Sequence, residues 1–166
     1  SITALEISNQ RIKTTCDLGK RLGHNVPVLQ GDASRLDWWD KKPFTHILVD
    51  APCSSSGTIR RNPDIKLLLN EKNLQFFQQK QLHILTNLWD KLSPGGLMFY
   101  STCSLFREEN DLLIQKLVEE KDAEILKLKV PENVANALFT NYGCNLLPFD
   151  KISDGFYCSL ISKKTI

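Results

Sequence analysis

Two of the five cysteines in this 166-residue chain sit among small polar residues, each at the carboxyl end of an apolar run. Cys53 lies in Asp50-Ala51-Pro52-Cys53-Ser54-Ser55-Ser56-Gly57, directly after Thr45–Asp50 (THILVD). Cys103 lies in Ser101-Thr102-Cys103-Ser104, directly after Leu97–Ser101 (LMFYS), with Glu108-Glu109-Asn110 close behind. A third polar segment, Gly31-Asp32-Ala33-Ser34, follows the apolar run Val26–Gln30. Two thiols with a carboxylate nearby are awkward packing choices but useful reagents: one thiolate to attack, one acid to stabilise charge, one base to move a proton. Carbon 5 of a cytosine or uracil is a poor nucleophile, and alkylating it takes all three. A thiolate adds at carbon 6 and pushes electron density across the ring, an acid stabilises charge on ring nitrogen 3, and a base removes the carbon 5 proton so that the thiolate is expelled.

The remaining cysteines carry no such setting. Cys16, Cys144 and Cys158 complete an odd, widely spaced set with no C-x-x-C pair, so neither a disulfide framework nor a zinc site is suggested, and these three read as small buried hydrophobes. His24, His46 and His83 show no ligand spacing, and no metal is expected. Asp32 has a plainer reading beside the chemical one, because G-D-A-S also suits a turn or a helix cap.

The elements that must position these residues alternate between short apolar runs and longer amphipathic ones, the pattern of an α/β fold with a mainly parallel sheet and helices on both faces. Ile2–Ile7 reads as a strand, Asn9–Leu22 as a helix stopped by Gly23, Val26–Gln30 as a second strand and Thr45–Asp50 as a third, its Ile47-Leu48-Val49 core suggesting burial on both faces. Asn70–Leu92 reads as a long helix with Leu74, Phe77, Leu82, Leu85, Leu88 and Trp89 at helical spacing and Pro94-Gly95-Gly96 as its stop. Leu97–Ser101 is then a strand, Glu108–Lys121 a helix with an acidic first turn, Ala123–Leu128 a strand, residues 131–148 a loop with short helical turns, and Gly155–Ser162 a last strand. All three polar segments thus leave the carboxyl ends of strands, where open α/β sheets bind ligands.

Length and composition, 42% hydrophobic and 24% charged, suit one globular domain rather than a disordered chain. The net charge of +2 is too small to announce a nucleic-acid or membrane-surface protein, so any basic site must be local. With no apolar run of about 18 residues and no signal-peptide layout, the chain reads as cytoplasmic. One feature is out of place: the first strand ends in an acidic residue, Glu6, with no glycine-rich turn before it, although a carboxylate at a strand tip usually holds a ribose on the second strand of such folds. The order of elements therefore starts one βα unit late.

Asp50-Ala51-Pro52-Cys53-Ser54, continuing through Ile59-Arg60-Arg61-Asn62-Pro63-Asp64-Ile65-Lys66, resembles the fourth motif of the RNA cytosine-5 methyltransferases. Tyr100-Ser101-Thr102-Cys103-Ser104 with Glu108-Glu109-Asn110 resembles their sixth, and Leu146-Leu147-Pro148 with Asp154-Gly155-Phe156-Tyr157 is similar to their last strand region. The similarity runs from about residue 2 to residue 163 and is greatest to the bacterial Sun (Fmu) type, which acts on small-subunit ribosomal RNA. The resemblance implies a Rossmann-like, class I fold using S-adenosylmethionine, with Cys103 as the nucleophile toward cytosine carbon 6 and Cys53 assisting proton removal and product release. It places Asp50 against the target base and beside the cofactor, Glu6 on the cofactor's ribose, where the family more often has Asp, and Asp32 near its adenine.

Arg60, Arg61 and Lys66 lie in the polar loop beyond Cys53, where they suit RNA phosphates while the base is turned out of its stack. Trp38 and Trp39 suit either base stacking or the cover of a sheet edge. Counterparts of the family's glycine-rich first motif and of its N-terminal RNA-binding helical domain are missing, so residues 1–166 are expected to form a partial catalytic domain whose sheet lacks a strand between Ile2–Ile7 and Thr45–Asp50, with an unpaired edge on each side of the gap. Two other readings stand beside this one: a cofactor-incompetent module that only packs or binds RNA, and a DNA cytosine methyltransferase, which the second cysteine fifty residues on disfavours.

Overall fold

A parallel pair of strands needs a crossover between them, and the first forty residues supply one. In the computed structural model, which describes residues 2–131, 134, 136–149 and 153–165, Ala4–Glu6 (β1) pairs in parallel with Val28–Gln30 (β2), and helix Asn9–Arg21 (α1) connects them. Ser8 caps the helix by accepting the Arg11 N–H. Gly23, at φ +72°, then turns the chain in the left-handed conformation that glycine adopts freely. Ser1–Lys42 forms one compact unit and Pro43–Ile166 a second.

The second unit is built on a six-stranded sheet. Phe44–Asp50 (β3) is followed by a short 3-10 turn at Ser56–Thr58, a single helical turn Ile65–Leu68 (α2) and the long helix Glu71–Trp89 (α3). Leu92–Thr102 (β4), Asp111–Glu120 (α4), Ala123–Leu126 (β5), Ala137–Phe139 (β6), Cys144–Leu146 (β7) and Phe156–Lys163 (β8) complete it. The strand order is β3-β4-β8-β7-β6, with β5 also pairing with β8. The α/β class is as expected, but among the described residues only β1–β2 and β3–β4 are parallel; the four other strand pairings are antiparallel. The mainly parallel expectation gives way to a mixed sheet because β6, β7 and β8 follow one another through connections too short for a crossover.

Strand alternation places Val49, Met98, Tyr100 and Ile161 on one face, where they are buried under α3 and α4, which pack on each other. The helices of this unit thus lie on one face rather than both. Leu48 points to the other face and is 72% exposed, so β3 is an edge strand buried on one side, not on two. Its apolar run mimics a central strand because the sequence cannot show which face receives a helix.

Three boundaries also differ. Helix α3 ends at Trp89, where the Lys163 ammonium caps the carbonyls of Trp89 and Leu92; Pro94-Gly95-Gly96 falls inside β4 instead, as an irregularity that shifts the register between Phe44–Leu92 and His46–Leu97. Helix α4 begins at Asp111, because Asn110 holds a non-helical backbone, so Glu108-Glu109-Asn110 is a turn and not a first helical turn. The stretch 131–148 contains the β6–β7 hairpin rather than helical turns, its residues 132, 133 and 135 lying outside the described set.

Candidate active site

Strands β3 and β4 run parallel with Asp50 opposite Ser101, so the segments that follow them leave the same edge of the sheet. The Ala51 N–H donates to the Ser101 carbonyl at 2.9 Å, carrying the pairing one residue further. Just beyond, Cys53 Sγ lies 3.4 Å from Cys103 Sγ, both side chains half-buried. A third segment closes the cluster: the Gly57 N–H donates to the Cys103 carbonyl and the Gly155 N–H to the Gly57 carbonyl, each at 2.9 Å. A Cβ on Gly57 would collide with the carbonyl oxygens of Gly155 and Cys103, so glycine is what lets the three backbones meet.

The two thiols are electrostatically unequal. Cys103 is lowered from the ordinary thiol value to about 6, chiefly by its hydrogen bond with Cys53, with help from Ser55 and against the opposing effects of burial and the Asp50 charge. Cys53 is pushed far upward by the same hydrogen bond and by burial. At neutral pH the pair therefore holds one thiolate, on Cys103, and one thiol, on Cys53. Ser55 Oγ stands 3.4 Å from Cys103 Sγ, and it reaches that place from a backbone at φ +58°, a strained conformation for a residue other than glycine. Asp50 is exposed at the tip of β3, with Ser101 Oγ 3.4 Å from its Oδ1.

Beneath the cysteines lies a polar core that the sequence did not announce. Glu109 is fully buried and accepts from the Ser54 N–H at 2.8 Å, Ser54 Oγ at 2.5 Å, Ser104 Oγ at 2.5 Å and Gln81 Nε2 at 3.0 Å. Gln81 also donates to the Pro52 carbonyl at 2.8 Å. Asn110 accepts from Thr102 Oγ1 at 2.7 Å and donates to the Ser104 carbonyl at 2.9 Å. The serine run and the acidic turn were the available signals, but serine and glutamate in such places are more often solvated.

Arg60 and Arg61 both meet Asp154: Arg60 Nη2 at 3.2 Å from Oδ1, and Arg61 through Nε at 2.5 Å from Oδ2 and through Nη2. The guanidinium of Arg61 holds the Asp154 carboxyl below the usual carboxylate range. The two arginines are thus tied to the turn that carries Gly155, and both stay exposed at the surface, as does Lys66 on α2.

In the first unit, Glu6 and Asp32 share the carboxyl edge of the β1–β2 pair, where the Gly31 N–H donates to the Glu6 carbonyl at 3.1 Å. Glu6 Oε1 accepts the Ser8 N–H at 2.9 Å, and Asp32 Oδ1 accepts from Ser34 N and Oγ at 2.9 and 2.7 Å, which turns each carboxylate back toward its own strand end. Two half-buried carboxylates on one such edge are an acceptor set that fits the hydroxyls and amine of a nucleoside. Trp38 takes the packing reading: it lies against Gly31, where a Cβ would come within 2.8 Å of its ring, and its Nε1 donates to the Asp32 carbonyl. Trp39 likewise donates to the Lys42 carbonyl at 2.7 Å. Among the described residues no His/Cys/Asp/Glu group could hold a metal ion, and no helix is long and apolar enough to cross a membrane.

Residues 1–162 match the model of the 16S rRNA methyltransferase RsmB/F family. The chain is 38% identical to a probable ribosomal RNA small subunit methyltransferase B of Coxiella burnetii, over 98% of this chain and 38% of that protein. It is 37% identical to the ribosomal RNA small subunit methyltransferase B of Escherichia fergusonii, over 98% of this chain and 37% of that one. The crystal structure of a methyltransferase homolog protein from Pyrococcus horikoshii superposes with a TM-score of 0.78 at 30% identity, covering 98% of this chain and 53% of its own. The chain spans less than two fifths of the length of these curated relatives, and within that span it belongs to the 16S rRNA methyltransferase RsmB/F family.

Proposed function

We propose that this site methylates carbon 5 of a cytosine in small-subunit ribosomal RNA, in the cytoplasm, through a covalent adduct on Cys103. The observation that carries the reading is the 3.4 Å contact between two thiols at the ends of adjacent parallel strands, a contact that lowers Cys103 and raises Cys53. S-adenosylmethionine, which Glu6 and Asp32 would hold, would supply an electrophilic methyl group to carbon 5 and keep the electron pair of the broken sulfur–carbon bond. The Cys103 thiolate adds to cytosine carbon 6, forming the carbon–sulfur bond while the carbon 5–carbon 6 double-bond electrons move toward carbon 5. Asp50, exposed at the strand tip, would share a proton with ring nitrogen 3, so that the addition leaves no net negative charge there.

Cys53 acts second because of its electrostatics. While Cys103 is a thiolate, its hydrogen bond holds the Cys53 proton tightly. Once Cys103 is bonded to carbon that negative charge is gone, so Cys53 gives its proton to solvent and the thiolate it becomes is the base that takes the carbon 5 proton. The electrons of the carbon–hydrogen bond restore the double bond, the carbon–sulfur bond breaks, and Cys103 leaves as thiolate. Arg60, Arg61 and Lys66 present cations to the RNA backbone around the base.

The test is the adduct itself, sought with the complete protein, S-adenosylmethionine and an RNA carrying 5-fluorocytosine, whose fluorine cannot leave as a proton does. A gel-stable protein–RNA complex is expected from the parent and none from Cys103→Ala, while Cys53→Ala accumulates adduct even on unmodified RNA. An adduct formed by Cys103→Ala overturns the choice of nucleophile.

A further inference from the structure

We propose that Glu109 is the positioning residue of this site: its buried carboxylate, clamped between Ser54 and Ser104, sets the spacing of the two cysteines by holding the residue that follows each. The inference rests on the reading of Cys53 and Cys103 as the reacting pair. Ser54 and Ser104 are fifty residues apart in sequence, and the Glu109 carboxylate accepts from both, from each hydroxyl at 2.5 Å and from the Ser54 N–H at 2.8 Å. The residues before the cysteines are held from the same place: Gln81 bridges Glu109 to the Pro52 carbonyl, and Asn110, next in sequence to Glu109, takes the Thr102 hydroxyl. Each cysteine is thus pinned on both sides to one turn, while its own Sγ is left for chemistry.

The chemistry of the carboxylate explains why glutamate stands there. A buried carboxylate without a cation is costly, and among the described residues Glu109 has no cationic partner. Two oxygens with about four lone-pair sites accept from two loops and a third side chain together, which an amide with one oxygen cannot do. Neutral packing would fill the same volume without the desolvation penalty. What the carboxylate adds is a tie between the residues next to the two cysteines, in loops that beyond Ala51 and Ser101 otherwise meet through the Gly57–Cys103 backbone bond and the serine hydroxyls rather than through a strand ladder.

Disulfide closure between Cys53 and Cys103 measures that distance without RNA or cofactor. Diamide removes two electrons and two protons from the thiols, the Sγ–Sγ bond forms, and diamide is reduced to its hydrazine. Closure on the 166-residue chain is followed by peptide mass mapping and divided by the rate at which iodoacetamide alkylates Cys103 in the same variant, which cancels changes in thiolate population. Glu109→Gln keeps the side-chain volume, so a role in packing alone leaves closure unchanged; positioning slows it about tenfold or more. Ser104→Ala removes one arm of the clamp, slows closure in the same direction and decides the matter if Glu109→Gln does not fold. The double variant is expected to close no more slowly than Glu109→Gln, because both changes break one device. Closure at the parent rate in folded Glu109→Gln or Ser104→Ala, or losses that multiply in the double variant, overturns the proposal. Failure of the RNA adduct would sink the catalytic reading and leave these rates standing, so the two are separable.

Discussion

Replacing Cys53 by alanine removes the largest effect that holds Cys103 down at about 6, and the change in reactivity follows from two opposed consequences. With the full effect lost, Cys103 returns to about 8.5, so at pH 6 its thiolate population falls from about one half to about 0.3%, roughly 150-fold. A more basic thiolate is also a better nucleophile, and with a Brønsted slope of about 0.4–0.5 the same shift makes each thiolate roughly tenfold more reactive. Alkylation of Cys103 in Cys53→Ala should therefore be about tenfold slower than in the parent at pH 6 and about tenfold faster above pH 9.5, the two profiles crossing between about pH 7 and 8. In the variant Ser55, 3.4 Å from the sulfur, still lowers the thiol while burial and the Asp50 charge still raise it, and about 8.5 stands between these opposed effects. Iodoacetamide labelling across this pH range, read from the Cys103 peptide by mass spectrometry, measures both limbs. Profiles that share one midpoint would refute the reasoning, since the 3.4 Å contact would then not be what acidifies Cys103.

Gly57→Ala drives a methyl group into the carbonyl oxygens of Gly155 and Cys103, and should cost about 1–3 kcal/mol in denaturant unfolding; an unchanged midpoint would mean that these backbones are not in contact. Asp154→Asn releases Arg60 and Arg61 from their ion pairs, and because exposed pairs add little to stability, the freed guanidiniums should tighten RNA binding in filter assays and steepen its salt dependence, whereas Arg60→Gln with Arg61→Gln does the reverse. Glu6→Ala should weaken S-adenosylmethionine binding about 10- to 100-fold by calorimetry, as loss of a charged hydrogen-bond acceptor predicts; equal affinity in parent and variant, or no binding by the parent, would remove Glu6 as a cofactor ligand.

The parts of the site that could be read from sequence are those whose signal is local. Cys53 and Cys103 follow apolar runs and carry distinctive flanking residues, and the parallel β3–β4 pair delivers them to one edge as that pattern requires. Glu109 was hidden because its role lies in contacts across fifty-five residues, to a serine that looks like any loop serine. Arg60 and Arg61 were legible as cations, but their partner Asp154 lies more than ninety residues away, in a turn that only the last strand brings near. Leu48 shows the limit for the fold: its run specifies a strand, and burial on one face or two is decided by where helices pack, which no local pattern records.

Strand β8 lies at the centre of its sheet although it comes last among the described strands, with β4 along one edge and β5 and β7 sharing the other. A ribosome delivers such a sheet in an awkward order, leaving β4 without one of its neighbours until some fifty residues more have emerged. Because Gly155 leads directly into β8 and its N–H closes onto Gly57, the arrival of that strand also closes the third side of the cysteine pocket. During synthesis Cys103 is thus an ordinary, mostly protonated thiol until β3 and β4 pair and bring Cys53 and Ser55 against it. Late insertion of a central strand slows folding, so the paired cysteines wait for the backbone that closes over them.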